Sequence, residues 1–399
     1  MLDKCSNGED MALDFQQVYA KIKEIGESVQ QRRKTLDERR AKARVLLNVY
    51  ADALDVLREK VESVKAADPA VRCATPLNEP LDSHLPPPEL PLNATLIAAD
   101  GSQIVPSRHK PVLYYLINVG AIAMEMGSGK APEIFVETDL HYEEDNENEP
   151  PTESQVALRR DLAERKAMLK ICKKYSGEIL TLTDGQLELW GSTDAENLGE
   201  FEKSLQDYLN ALRAFREKEI VTAGYIDKPS ANWLIRLLEI TEISADELQN
   251  IRKHHPLHGV TDYWLFSKIL GKHERSSVFA FQAKTAEKYK NDISLHFFYI
   301  NVGDERHPAI ARVDIPRWVA QNENKLNTLH QALIEQNRIM SHRPFPYILH
   351  RAHEIAVVSS QEHEQVDQMI MLELRKNGGE IGEISGKQSA KDLPGKTRF

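Results

Sequence analysis

The 399-residue chain has only three cysteines, Cys5, Cys73 and Cys172, far apart and without C-x-x-C spacing. So sparse and odd a set supports neither a disulfide framework nor a thiolate zinc site, and reduced thiols are expected. Long hydrophobic runs are also lacking. The longest, residues 112–124, is interrupted by Asn118 and Gly120 and falls short of the ~20 residues of a membrane helix; it reads as buried strand, and no membrane role is expected. The first ten residues hold three acids and no apolar stretch, so no secretory or mitochondrial leader is read there and the expected location is the cytoplasm. A basic excess is missing too. Lys and Arg number 51 against 61 Asp and Glu, a net charge of −10, the wrong sign for a broad cationic face on nucleic acid. Any such contact must be local.

What is present is ordinary globular composition, 41% hydrophobic and 28% charged, in a chain long enough for more than one domain. Residues 11–65 contain no proline, and Leu46, Leu47, Tyr50, Leu54, Leu57, Val61 and Val64 recur at helical spacing. This predicts an amphipathic arm over 1–68, as one long helix or two meeting near Thr35, serving packing or oligomerisation. Residues 69–91 hold seven of the 19 prolines, which predicts an extended linker over 69–93. Beyond it, strands are expected at 94–99, 112–123, 133–137, 178–183 and 220–226, with helices at 152–174, 195–218 and 230–240. Further strands are expected at 277–282, 293–302 and 309–315. Helices are expected at 319–340, in part of 347–358, and at 361–375. Residues 376–399, rich in Gly, Ser and Lys, read as a tail outside the 94–375 domain.

Two of these strands end in the same way. Asp100 in LIAADGSQI and Asp184 in ILTLTDGQLELW each close an apolar run and are followed by glycine. A strand fixes a carboxylate and the glycine lets the chain leave without covering it, although Asp-Gly turns also occur with no chemical role. The order of strand with Asp, two more strands, helix, strand with Asp resembles the ribonuclease H-like arrangement, in which the first and fourth strands lie side by side. The intervening helix offers Glu164, on a charged face where a solvated glutamate paired with Arg160 is the alternative. Oxygen donors of this kind favour Mg²⁺ or Mn²⁺, two of which ~3.5–4 Å apart suit phosphodiester hydrolysis. A late histidine, His353 in FPYILHRAHEIAVV, is a candidate ligand or proton carrier, against a packed histidine as the alternative.

With Asp100–Gly101–Ser102, the Glu164 helix, Thr183–Asp184–Gly185, AGYID at 223–227, HERSSVF at 273–279, ARVDIPRWVA at 311–320 and PFPYILHRAHEIAVV at 344–358, the sequence resembles the NurA nucleases over about residues 94–373. The resemblance implies a ribonuclease H-like α/β core with a mixed sheet flanked by helices, a homodimer and a requirement for Mn²⁺, with Mg²⁺ as the alternative. It also implies 5′ to 3′ degradation of DNA, endonuclease action on single strands, and partnership with a HerA-type hexameric ATPase in DNA repair or phage defence. It assigns Asp100, Glu164, Asp184 and His353 to catalysis and metal binding. Phe345 stands where many relatives have tyrosine, with Tyr347 two residues on.

Other signals are weaker. GSGK at 127–130 lacks the first glycine and the Ser/Thr of a phosphate loop. His254, His255 and His258 sit beside Lys253 and Pro256 as in a turn, and Trp233, Trp264 and Trp318 lie in apolar patterns that predict core packing. Arg108, His109, Lys110, Lys228 and Arg236 are candidate cations for a DNA channel. A kinase-like ATP site would need glycine-rich loops that are not found; the other alternative is a non-catalytic adaptor of a translocase complex.

Overall fold

Proline-free, helix-forming sequence at the start yields α1 (Phe15–Tyr50), 36 residues long and capped by Asp14, and α2 (Leu54–Ala67). The computed structural model describes residues 14–89, 92–108, 110, 112–142, 150–191, 198–340 and 344–378. Cys5, His109, the acidic loop 143–149 and the tail beyond residue 378 lie outside the described residues. The helical break falls at Ala51–Ala53 rather than near Thr35. The charged run around Thr35 is built of strong helix formers and contains no glycine or proline, so nothing in it stops the helix. Leu47, Leu57, Val61 and Val64 are buried, whereas Phe15, Val18, Tyr19, Ile22, Ile25 and Val29 are all exposed.

The remaining elements are β1 (Cys73–Pro76), β2 (Thr95–Ile104), β3 (Tyr114–Glu125), β4 (Glu133–Tyr142), α3 (Glu153–Cys172), β5 (Ile179–Asp184), α4 (Leu198–Glu217) and β6 (Val221–Asp227). There follow α5 (Trp233–Thr241), α6 (Asp262–Phe266), β7 (Phe279–Gln282), β8 (Leu295–Asn301), β9 (Ile310–Pro316), α7 (Arg317–Ala320), α8 (Glu323–Ile339), α9 (Tyr347–Ala356) and α10 (Ser360–Lys376). The strands form one nine-stranded sheet in the order β1-β7-β8-β9-β6-β5-β2-β3-β4. β5 pairs in parallel with both β2 and β6, and the other neighbours are antiparallel. Read from the β4 edge, three antiparallel strands, a crossover through α3 and two parallel strands make the ribonuclease H-like core.

The proline-rich stretch departs from the expected linker. Its strand β1 pairs with β7 and closes one edge of the sheet, Leu85 bridges to Arg275, and Leu81 is fully buried. An outermost strand needs hydrogen bonds on one side only, which is why Pro76 is tolerated there. A second hydrophobic core forms behind this edge, where Ala43, Leu47, Leu57 and Val61 of the arm meet Leu234, Leu237 and Leu238 of α5 and Phe297 of β8. GSGK is the turn between β3 and β4, with Gly127 and Gly129 at φ 73° and 71° and Lys130 paired to Glu125.

Candidate active site

Parallel pairing sets the site. Ala98 on β2 lies beside Leu182 on β5, and two residues further each strand delivers an aspartate, Asp100 and Asp184, on the same row. β6 continues the series: Tyr225 is the register partner of Asp184, and Asp227 ends the strand two residues later. Asp184 and Asp227 end their strands, where open α/β sheets bind ligands, but the strand end expected at Asp100 is not found: β2 stays paired to β3 through Ile104 and presents Asp100 mid-strand, level with the end of β5. Gly185, at φ 93°, turns the chain away immediately after Asp184, and its amide donates to Tyr225 O at 2.8 Å.

The residues around Asp100 make room for two helices on opposite faces. A side chain at Gly101 would run into Arg160 and Glu164 of α3, and one at Gly120, the register partner of Asp100, would collide with the backbone of Ile355 and Ala356 in α9. Ser102 Oγ and Asn118 Nδ2 both donate to Ala356 O, at 2.5 and 2.8 Å, and fasten the end of α9 to the sheet. Three residues earlier on that helix, His353 Nδ1 lies 2.7 Å from Asp100 Oδ2. Each residue of the DGS triplet thus does something different: Asp100 presents the carboxylate, Gly101 admits α3, and Ser102 anchors α9.

Glu164 is 6% exposed, and its Oε1 is 3.5 Å from Arg160 Nε. Burial, with the nearby charges of Asp161 and Asp100, pushes its carboxyl up to about 8 against the opposing pull of Arg165 and Arg160. Those arginines have other commitments, Arg160 to Asp161 at 2.9 Å and Arg165 to the Thr183 hydroxyl. Asp184 is also raised, through desolvation first and then Asp100 and Asp227, although its outer edge meets solvent and His353 pulls the other way. Asp227 is raised by burial against the pull of Lys228. The site thus gathers more carboxyl groups than its own cations match, and each is harder to ionise for it.

Oxygen donors with one imidazole and an excess of carboxyls over cations fit a divalent cation of the Mg²⁺ or Mn²⁺ class. Asp100, Asp184 and Glu164 would hold it. Among the described residues no three of His, Cys, Asp and Glu already enclose an ion; the donors gather beside the end of β5 without forming a closed cage.

The structure brings Asp100, Asp184 and His353 together and sets Glu164 beside Gly101. Sequence reasoning left the role of Asp227 open, and it passed over Trp190, which is 55% exposed. Arg236 does not line a channel: it is 6% exposed and bonded to Glu239 and to the carbonyls of Ile251 and His254. Lys110 is paired with Asp367, while Lys228 is exposed next to Asp227. Phe345 meets Tyr225 edge-on with ring centroids 5.6 Å apart. His255 contacts Glu239, and Trp233 and Trp318 are buried as expected.

Among solved structures, the catalytic domain of human Endonuclease V is 10% identical over 80% of this chain and 98% of its own, with a TM-score of 0.33. Ciona intestinalis Endonuclease V, in complex with a 24mer DNA containing inosine, is 10% identical over 77% and 95%, with a TM-score of 0.30. Drosophila Piwi is 11% identical over 67% and 30%, with a TM-score of 0.28. These overlaps are loose, and strand order carries the fold assignment. No curated protein matches in sequence. The NurA domain matches residues 94–358, from the strand that carries Asp100 to just beyond the helix that carries His353, and the chain belongs to the NurA domain family.

Proposed function

We propose that this protein is a metal-dependent deoxyribonuclease that hydrolyses phosphodiester bonds where neighbouring β2 and β5 present Asp100 and Asp184. The observation that supports this best is the gathering of Asp100, Asp184 and Glu164 beside His353, where burial and neighbouring carboxylates raise both Glu164 and Asp184, so that their ionisation calls for a cation. Asp100, Glu164 and Asp184 are the ligands for Mn²⁺ or Mg²⁺, with Asp227 at the rim. When bound, the ion supplies an activated water and neutralises charge on the leaving oxygen. The protein's own part is to hold these carboxylates on rigid strands and to aim His353. Its Nδ1 is engaged by Asp100, so Nε2 is the nitrogen left to take up or release a proton near the scissile phosphate.

Family membership supports the finer reading: a homodimer that degrades DNA 5′ to 3′, cuts single strands internally, and receives DNA from a HerA-type ATPase in the cytoplasm. The net charge of −10 agrees with dependence on a translocase, because affinity from phosphate neutralisation needs a basic face. The exposed apolar residues from Phe15 to Val29 on α1 suit a contact with a second copy. DNA labelled at either end, incubated with the purified protein with and without Mn²⁺ and with a cognate ATPase plus ATP, tests this reading. Metal-dependent loss of the 5′ label first, accelerated by the ATPase, is expected; intact DNA under every condition would favour the adaptor.

A further inference from the structure

The strand ends that carry Asp184 and Asp227 open into a cleft for which the carboxylates have no use. Its volume is about 680 Å³, and its wall begins at Gly185 and Ile226, each adjacent to one of the aspartates. That size lies within the ~300–1,000 Å³ of ordinary ligand clefts. Further along stand Arg72, Trp190 and Trp233. Trp233 and Trp318 are each 6% exposed, whereas Trp190 is 55% exposed, an indole that the fold leaves in water. The Arg72 guanidinium sits 4.8 Å from the ring centroid of Trp233 and 5.8 Å from that of Trp190. It has no ion-pair partner among the described residues, in contrast to Arg312 on the cleft floor, which is matched by Asp314 at 2.8 Å.

We propose that this cleft is a stacking subsite for an unpaired nucleotide of the strand being cut, with the base against Trp190 and a phosphate facing Arg72. The inference rests on the nuclease reading, which sets the scissile phosphate at the carboxylates one residue away. A flat apolar ring in solvent offers every base a π face, and a base inside a duplex has both faces already covered, so the subsite selects single strand. An unpaired guanidinium held over aromatic faces supplies local positive charge to a protein that is acidic overall.

The test is binding of a short oligothymidylate to the full chain without divalent ions, followed by tryptophan fluorescence and repeated across salt concentrations. Trp190→Ala is expected to remove most of the quenching and weaken binding about 5- to 100-fold, with Trp190→Phe recovering most of the affinity. An abasic strand of equal length should bind the wild type as weakly as oligothymidylate binds Trp190→Ala. Arg72→Gln should lower the slope of log affinity against log salt by about 0.7. Unchanged affinity and quenching in Trp190→Ala, or equal binding of the abasic and thymidine strands, would overturn the proposal. No cleavage is read, so loss of binding in Trp190→Ala alongside normal cleavage by Asp184→Asn would leave the subsite standing and sink only the carboxylate assignment.

Discussion

Glu164 and Glu239 are both buried glutamates on helices against the same sheet, one on the β2 side and one behind β1. Glu239, 1% exposed, is fully answered: Arg236 donates to it at 2.6 Å, the Leu257 amide at 3.0 Å, and His255 Nδ1 lies 3.2 Å away. Glu164 has only Arg160 Nε at 3.5 Å, with no hydrogen bond to its carboxylate among the described residues, and it faces Asp161 and Asp100. The outer half repeats its pattern, since Asp262 accepts from the amides of Leu234 and Ile235 and from the Tyr299 hydroxyl. Desolvating a charge is costly unless it is paired. The chain pairs such groups in one half and leaves Glu164 unmatched in the other, which on the proposed function is where a cation from outside would bind.

The largest effects should break this contrast at the candidate site. Asp100→Asn and Asp184→Asn are each expected to lower metal-dependent cleavage by at least about 100-fold, because a ligand charge disappears. The melting temperature of the metal-free protein should hold or rise, since repulsion is relieved and no cavity opens. Rates on labelled DNA alongside thermal unfolding check both halves of the statement, and near-wild-type cleavage in either variant would remove that residue from the site.

Exchanging the two glutamates sharpens the comparison. Glu239→Gln should cost about 3–5 kcal/mol, because Arg236 is left buried with its charge unanswered. Glu164→Gln should leave the metal-free protein at least as stable as the wild type while abolishing cleavage. Denaturant unfolding of the two variants gives the answer, and equal destabilisation would mean that Glu164 is structural.

How much of this could be read in advance depended on what surrounds each residue in sequence. Asp100 and Asp184 were legible because an apolar strand followed by Asp-Gly is a local pattern. Glu164 was not distinguishable from a surface glutamate among RRDLAERK without the family resemblance, since burial is decided by Gly101 on a strand far away in the chain. Arg236 misled for the converse reason: α5 is buried on every side, so an Arg and a Glu three residues apart, the usual mark of a solvated face, are an internal pair. β1 was hidden because prolines signal a linker and give no hint of an edge that tolerates them. Trp190 closes the same ILTLTDGQLELW run that carries Asp184, but exposure of a single ring has no sequence signature.

Acid should erode stability through two buried histidines, whereas protonating the raised carboxyls of the site relieves repulsion. His296 and His330, 5% and 0% exposed, are held down to about 4 by burial, each with a backbone carbonyl partner, Ser294 O and His273 O. The unfolded chain binds a proton near the ordinary 6.5 that the folded chain refuses until about 4. Stability is therefore complete above pH 6.5 and falls as pH drops toward 4, by on the order of 1–3 kcal/mol for each histidine. Denaturant midpoints measured over that window should slope downward toward acid, and His330→Gln should flatten the slope by about one proton. A midpoint independent of pH would show that these rings take up protons as readily in the fold as in the unfolded chain.

The smallest effect concerns how the half that carries the candidate site holds His353. Ala356 O accepts from both Ser102 and Asn118, so Ser102→Ala leaves that carbonyl with one donor and should cost only about 1 kcal/mol. Asn118→Ala is expected to cost a similar amount plus whatever its bond from Thr138 contributes. With both donors removed, the end of α9 keeps a carbonyl against the sheet with neither partner, so the double variant should lose about 1 kcal/mol beyond the sum of the singles. Cleavage should respond more steeply than stability, because His353 is one helical turn before Ala356 and its bond to Asp100 depends on that end staying down. A double-mutant cycle read by denaturant unfolding and by kcat separates the two contributions. Strict additivity in both would mean that α9 is positioned by its packing against Gly120, and Gly120→Ala would then be the variant that displaces the histidine.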